Sequence, residues 1–187
     1  MAIVANQIDI SKALTIPGWM SERELVWLAT QAQKCEKIVE FGSFHGRSTR
    51  ALADNIKEGG RIWAVDPWGG DCRTDEGNIV VDIDTYCMPY FRQNLKDHID
   101  TERVKPVRYF SYMFTLPFQV DMVFIDGDHR YNTVVRDIDK AQKLVKEGGI
   151  IAGHDYEHRI WPGVKKAVDE TFKQFQIEDT IWWTIKY

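Results

Sequence analysis

Side chains able to move protons or hold a cation recur at particular places in this chain: Asp66, the run Asp126-Gly127-Asp128-His129, and the pair His154-Asp155. Each follows a short apolar run, Ile62-Trp63-Ala64-Val65, Met122-Val123-Phe124-Ile125 and Ile150-Ile151-Ala152, so each acid stands where a buried strand would end. Carboxylates that converge repel one another, and such a group needs a cation or a shared proton. Asp126, His154 and Asp155 together would suit a divalent ion such as Mg²⁺ or Mn²⁺. Adjacent strand residues point to opposite faces, so His154 and Asp155 can both ligate only if the strand has ended before them.

A second pattern is Glu40-x-Gly42-x-x-x-Gly46, with Ser43 inside it, between a β-type run and a helical repeat. Glycines there let the backbone pass close to a ligand, and the helix that follows presents unpaired N–H groups. Phe44 stands where a dinucleotide fingerprint needs its second glycine, which disfavours NAD. Asp66, at the tip of the next strand, has the position of a carboxylate that accepts both hydroxyls of a ribose. Plainer readings compete. The glycines could make only a tight turn, Asp66 could cap the loop from Pro67, and Asp128 and Asn132 could cap the helix before Val134. His129 and His158 could be surface imidazoles, His45 could bond only to backbone, and Trp68 and Trp161 could line a pocket or simply pack.

The elements that must position these groups follow from periodicity. Ser21-Glu22-Arg23-Glu24 has the spacing of a capping box, which predicts an N-terminal helix over about 21–34. Strands are expected at 38–41, 61–66, 104–108, 120–126 and 150–152, and helices over 48–56, 84–98 (bent at Pro89), 134–145 and from Pro162. The Gly- and Asp-rich stretch 67–81 reads as a lid or substrate loop, and 178–180 as the turn of a closing hairpin. Alternating strands and helices predict a doubly wound α/β domain with a parallel sheet, spanning 1–187 as one unit. Ligands of such sheets bind beyond the carboxyl ends of the strands, where every acid above falls.

Composition narrows the partner. A formal charge of −4 with no basic stripe argues against nucleic acid, and no apolar run is long enough to span a membrane. A small-molecule acceptor is expected, homo-oligomer formation stays open, and three cysteines without metal-finger spacing suit a reducing, cytoplasmic setting.

Val39-Glu40-Phe41-Gly42-Ser43-Phe44-His45-Gly46-Arg47-Ser48-Thr49, Val65-Asp66, Phe124-Ile125-Asp126-Gly127-Asp128-His129 and Gly148-Gly149-Ile150-Ile151-Ala152-Gly153-His154-Asp155-Tyr156 together resemble the class I S-adenosylmethionine-dependent methyltransferases. The resemblance is to the subgroup described as methyltransferase domain 24, related to macrocin- and novobiocin-type sugar O-methyltransferases. It implies a Rossmann-like sheet of about seven strands whose last strand is antiparallel, with helices on both faces. It implies that Glu40, Gly42 and Gly46 line the methionine part of S-adenosylmethionine, that Asp66 holds its ribose, and that residues near Ser111 and Tyr112 approach its adenine, with Ser43 and Asp126 also counted among the cofactor residues. It further implies Mg²⁺ at Asp126, His154 and Asp155 with Asp128 as base, although a histidine stands at 154 where the relatives carry an acid. Two alternatives remain: a metal-independent methyltransferase with His129 or His154 as base, and a non-catalytic cofactor-binding protein.

Overall fold

Apolar runs and helical repeats alternate along the chain, and the folded protein realises them as strands and helices in the same order. The computed structural model describes residues 7–73, 75–77, 79–83 and 87–187, with backbone alone at 70–73 and 79–83. A short helix α1 (Ser11–Thr15) precedes α2 (Glu22–Ala32). The predicted capping box sets the start of α2: Glu24 N donates to the Ser21 hydroxyl and Ser21 N donates to the Glu24 carboxylate. Then come β1 (Lys37–Phe41), α3 (Arg47–Asn55), β2 (Arg61–Val65), β3 (Gly70–Arg73), β4 (Ile79–Ile83), α4 (Cys87–Asn94), α5 (Lys96–Asp100) and β5 (Val104–Val107). After a 3₁₀ turn at Ser111–Met113 follow β6 (Val120–Ile125), α6 (Tyr131–Leu144), β7 (Val145–Gly153), α7 (Pro162–Thr171), β8 (Gln176–Glu178) and β9 (Ile181–Ile185).

Seven of these strands form one sheet in the order β5-β2-β1-β6-β7-β9-β8. The first five are parallel, whereas β9 runs antiparallel to both β7 and β8. Strand order reverses between β1 and β6, which opens the ligand crevice at their carboxyl ends. Period-two alternation assigns the two faces. Ile38, Ile62 and Met122 pack with Leu25, Leu28, Leu52 and Phe91 under α2–α4, while Val39, Val123 and Ile151 pack with Val134, Ile138, Val164 and Val168 under α6 and α7. The expected Rossmann-like architecture is therefore present, with helices on both faces. Among the described residues no helix is long and apolar enough to cross a membrane.

Three local expectations are corrected. The stretch 67–81, whose residues 74 and 78 lie outside the described set, is not only loop: β3 and β4 pair antiparallel as a separate hairpin, with Cys72 opposite Val81 and a bulge at Cys72/Arg73. The β-branched run Ile79-Val80-Val81 supplies a strand that the surrounding glycines and aspartates obscure. In the predicted helix 84–98, of which 84–86 lie outside the described residues, the break falls at Leu95 rather than Pro89. Pro89 sits in the first turn of α4, where its missing N–H has no intrahelical acceptor to lose. Helix α6 starts before 134 and takes its cap from the hairpin: Tyr131 N donates to Asp75 Oδ1 at 2.8 Å.

Candidate active site

Where β1 ends, the backbone threads between the tips of β2 and β6. Gly42 N donates to Val65 O at 2.9 Å and Asp126 N donates to Phe41 O at 2.7 Å. Gly42 has φ 88°, and a Cβ there would lie 2.1 Å from the carbonyl oxygen of Asp126. Gly46, φ 90°, is the N-cap of α3, and a Cβ on it would meet Leu95 Cδ2 at 2.3 Å. Both glycines are required by backbone conformation and close packing.

Glu40, expected at the cofactor, faces the other way. It is fully buried behind the turn, and Ser43 Oγ (2.6 Å), Ser48 Oγ (2.7 Å) and the Thr49 hydroxyl all donate to its carboxyl. Burial pushes its pKa up to about 7 against the pull of those hydroxyls. Neither Glu40 nor Gly46 lines the cavity described next, because alternation along β1 puts Glu40 on the α3 side and Gly46 packs on α4. Asp66 does line it. The Asp66 carboxylate accepts from Ser43 N (2.7 Å), Phe44 N (2.9 Å) and Trp68 N (2.5 Å), so it shapes the glycine turn as well as the loop start. Burial raises its pKa, opposed by those three backbone donors.

A cavity of about 600 Å³ spans the carboxyl ends of the strands, in the range of small-molecule and cofactor sites. Gly42, Ser43, Asp66, Ser111, Tyr112 and Asp126 all contribute to its wall, as do Asp128, His129, His154 and Asp155. The structure therefore brings most of the singled-out residues to one place.

At the tips of β6 and β7 the acids meet imidazoles. His129 Nε2 lies 2.7 Å from Asp155 Oδ2, and the His129 ring stacks on Trp161 with centroids 4.5 Å apart. His154 Nδ1 lies 3.2 Å from Asp155 Oδ2 and 3.5 Å from Asp126 Oδ1, while its Nε2 is 3.1 Å from Glu24 Oε1. Asp155 adopts φ 61°, so the strand has ended and His154 and Asp155 both reach the cluster. Burial alone would lower the pKa of His154, but the charge of Asp126 and hydrogen bonds to Asp126, Asp155 and Glu24 hold it well above the usual imidazole range. Burial would likewise raise Asp155, yet His129 and His154 hold it well below the usual carboxylate range. Glu24 is drawn down to about 2, its burial outweighed by His154, Thr180 and the Ser21 N–H.

Asp128 is placed differently from its expected role as base. Arg130 grips both its oxygens, through Nε at 2.9 and 3.1 Å and through Nη2, and Thr133 Oγ1 donates at 3.2 Å. Burial would raise this carboxylate, but the Arg130 contacts lower it, leaving a weak base tied up by a cation. Trp68 is a core residue, fully buried, its indole N–H donating to Phe44 O at 3.0 Å. The His45 ring stacks on Phe44 with centroids 3.8 Å apart, and its main-chain carbonyl accepts from Asn94 Nδ2. His158 and Trp161 line the cavity.

Several wall residues carried no local sequence signal. Arg47 donates to the carbonyls of Leu14, Ile16 and Met20, fixing the segment 16–20 over the cavity, where Trp19 is 71% exposed and tilts against Phe44 at 5.1 Å. Glu24 was legible only as a capping residue. Asp137, on the buried face of α6, carries no local signal of core or site.

A family model described as a methyltransferase domain matches residues 39–156, well over half of the chain. A protein of Acanthamoeba polyphaga mimivirus is 29% identical over 151 residues, covering 74% of this chain. The chain spans 60% of the length of that viral relative. Among solved structures, an S-adenosylmethionine-dependent O-methyltransferase of Thermotoga maritima is 14% identical with a TM-score of 0.67, covering 95% of this chain and 70% of the other. An O-methyltransferase of Bacillus cereus in complex with S-adenosylhomocysteine is 17% identical with a TM-score of 0.65, over 98% and 94% of the two chains. TomG of Streptomyces achromogenes, an O-methyltransferase involved in tomaymycin synthesis and solved with S-adenosylmethionine, is 16% identical with a TM-score of 0.66, over 95% and 89%. At these identities the solved structures share the fold.

Proposed function

This chain belongs to the family of class I S-adenosylmethionine-dependent methyltransferases, and we propose that it methylates a hydroxyl of a small acceptor with His129 as the base. The observation that carries this reading is the His129–Asp155 contact at 2.7 Å on the cavity wall. A carboxylate at ion-pair distance from a ring nitrogen stabilises the charged form of the imidazole once a proton has been taken. Stacking on Trp161 restrains the ring against rotation.

Bound S-adenosylmethionine would supply a methyl group already activated on a sulfonium. This chain's own task is then alignment and proton removal, of which alignment alone is worth up to about 7–11 kcal/mol in favourable systems. Asp66 and the Gly42–Ser43 turn would hold the ribose and methionine portions, and Ser111 and Tyr112 the adenine. The net charge of −4 supports a small hydroxylated acceptor of the sugar or natural-product kind over a nucleic acid.

Asp126, His154 and Asp155 fit a divalent cation, since one ligand atom from each lies within 4.8 Å of the others. A cation held there would lower the pKa of a coordinated acceptor hydroxyl. A metal-independent site has its own support: Glu24, Asp126 and Asp155 already surround His154 and favour its positive charge, which neutralises the acids from within.

Calorimetric titration with S-adenosylhomocysteine and a radiolabel transfer assay across hydroxylated acceptors test the proposal. Saturable binding with label in at least one acceptor is expected, and absence of binding would sink it. Activity that survives EDTA selects the metal-independent form, and activity restored only by Mg²⁺ or Mn²⁺ selects the other.

A further inference from the structure

Helix α6 begins just after His129, yet it has no cap of its own: Arg130 at its N-cap makes no side-chain cap bond, and its first turn holds no acid. Helix α7 starts in the same way, with Trp161 at the N-cap, Pro162 next and no acid in its first turn. N–H groups at such ends need an outside acceptor, and the helix dipole favours a negative one. Asp75, between β3 and β4, provides it. Its Oδ1 accepts from Tyr131 N at 2.8 Å, and its Oδ2 lies 2.6 Å from where a Cβ on Gly163 would stand.

The backbone of Gly163 is not left-handed, so its conformation does not call for glycine. Space does, because a Cβ there would also meet Tyr131 N at 2.6 Å and His129 O at 2.9 Å. Tyr131 is anchored to α7 from its other end, its hydroxyl donating to Glu170 Oε2 at 2.6 Å and its ring lying 4.3 Å from Lys166 Nζ. The hairpin leaves the sheet at the tip of β2, beside Asp66 and Gly69 on the cavity wall, and Asp75 reaches the first turns of α6 and α7, which follow β6 and β7. Strand β1 lies between those two sides. The contact therefore ties the cofactor wall to the segment that carries His129.

Resting on the reading of His129 as the base, we propose that Asp75 is a positioning residue for methyl transfer: by holding Tyr131 N against Gly163 it fixes the main chain of 129–131, and with it the place of the His129 ring. Asp75 touches no reacting atom. Its effect falls on turnover rather than on cofactor binding, because displacing a catalytic group by about 1 Å can cost up to roughly 10²-fold.

The test compares the wild type with Asp75→Ala, Asp75→Asn and Gly163→Ala. Hydrogen–deuterium exchange reads the Tyr131 amide, a first-turn N–H without an intrahelical acceptor that Asp75 protects. Single-turnover label transfer, to whichever of a panel of monosaccharides and phenols the wild type labels best, reads the chemical step, and calorimetry with S-adenosylhomocysteine reads the cofactor site. Asp75→Ala and Gly163→Ala should speed exchange of that amide by about tenfold or more, the scale of a hydrogen bond to a charged group. Both should slow transfer by about 10- to 100-fold with S-adenosylhomocysteine affinity unchanged. Asp75→Asn, whose amide oxygen still accepts, should keep most of the protection and of the rate. A wild-type Tyr131 amide that exchanges freely overturns the inference whatever the variants do. An Asp75→Ala protein that loses protection yet transfers at the wild-type rate also overturns it, as does Asp75→Asn transferring as slowly as Asp75→Ala; in each case the methyltransferase reading stands. A wild type that binds no S-adenosylhomocysteine and labels no acceptor overturns both readings at once.

Discussion

Glu40 in β1 and Asp155 just past β7 are both buried acids near the carboxyl-end rim of one sheet, and the protein neutralises them by opposite means. Glu40 is surrounded by the hydroxyls of Ser43, Ser48 and Thr49, and burial raises its pKa to about 7. Asp155 is surrounded by the imidazoles of His129 and His154, which hold it ionised far below neutral pH. Neutral donors leave a burial penalty that a proton on the acid must relieve, whereas a protonated His154 offsets the charge with the proton on the imidazole and leaves the acid ionised. The first arrangement props up a turn. The second leaves a charged, oriented group on a cavity wall, where it can act on a ligand.

The sharpest way to break this comparison is His129→Ala. If the Asp155 side is the reactive one, turnover should fall by about 10²–10⁴, the usual share of a positioned acid or base. S-adenosylhomocysteine affinity should hold, and unchanged turnover in a single-turnover label assay would reassign the base. Next in size is Asp155→Ala, which takes a shared partner from His129 and His154 and leaves the buried positive charge of His154 less compensated. Breaking such a buried pair costs about 3 kcal/mol or more. Urea unfolding at pH 7 measures it, and a loss near zero would show that Asp126 and Glu24 suffice for His154.

The Glu40 side is sharpened by Glu40→Gln. Because the folded pKa of about 7 exceeds the ordinary glutamate value of 4.5, the folded protein keeps a proton that the unfolded chain has lost. Wild-type stability should therefore fall as pH rises from about 4.5 to about 7, by roughly 3 kcal/mol in all. Glutamine cannot ionise, so the variant should match the wild type at pH 5 and exceed it at pH 8. Parallel pH curves for the two proteins in urea titrations would mean that Glu40 is ionised and satisfied after all.

Legibility in the sequence followed the range of the interaction. Strand and helix order, the capping box at Ser21 and the glycine turn were all readable, because each depends on neighbours a few residues apart. Alternation along β1 was available too, since the apolar partners of Val39 and Phe41 lie on one face and those of Ile38 on the other. Applied one residue further, it turns Glu40 toward α3 and off the cavity wall. The hairpin 70–83 was hidden because its glycines and aspartates outweigh a short β-branched run.

By itself, then, the sequence determined that acids and imidazoles end the strands of a methyltransferase sheet, since strand tips are set by local pattern. Only the tertiary structure decided what each one does. It bound Asp128 to Arg130, turned His129 onto Asp155 and brought Glu24 across the molecule to His154. It also joined Asp137 to Ser111. The roles of these groups depend on which partner desolvates or charges them, and those partners come from elements far apart in the chain.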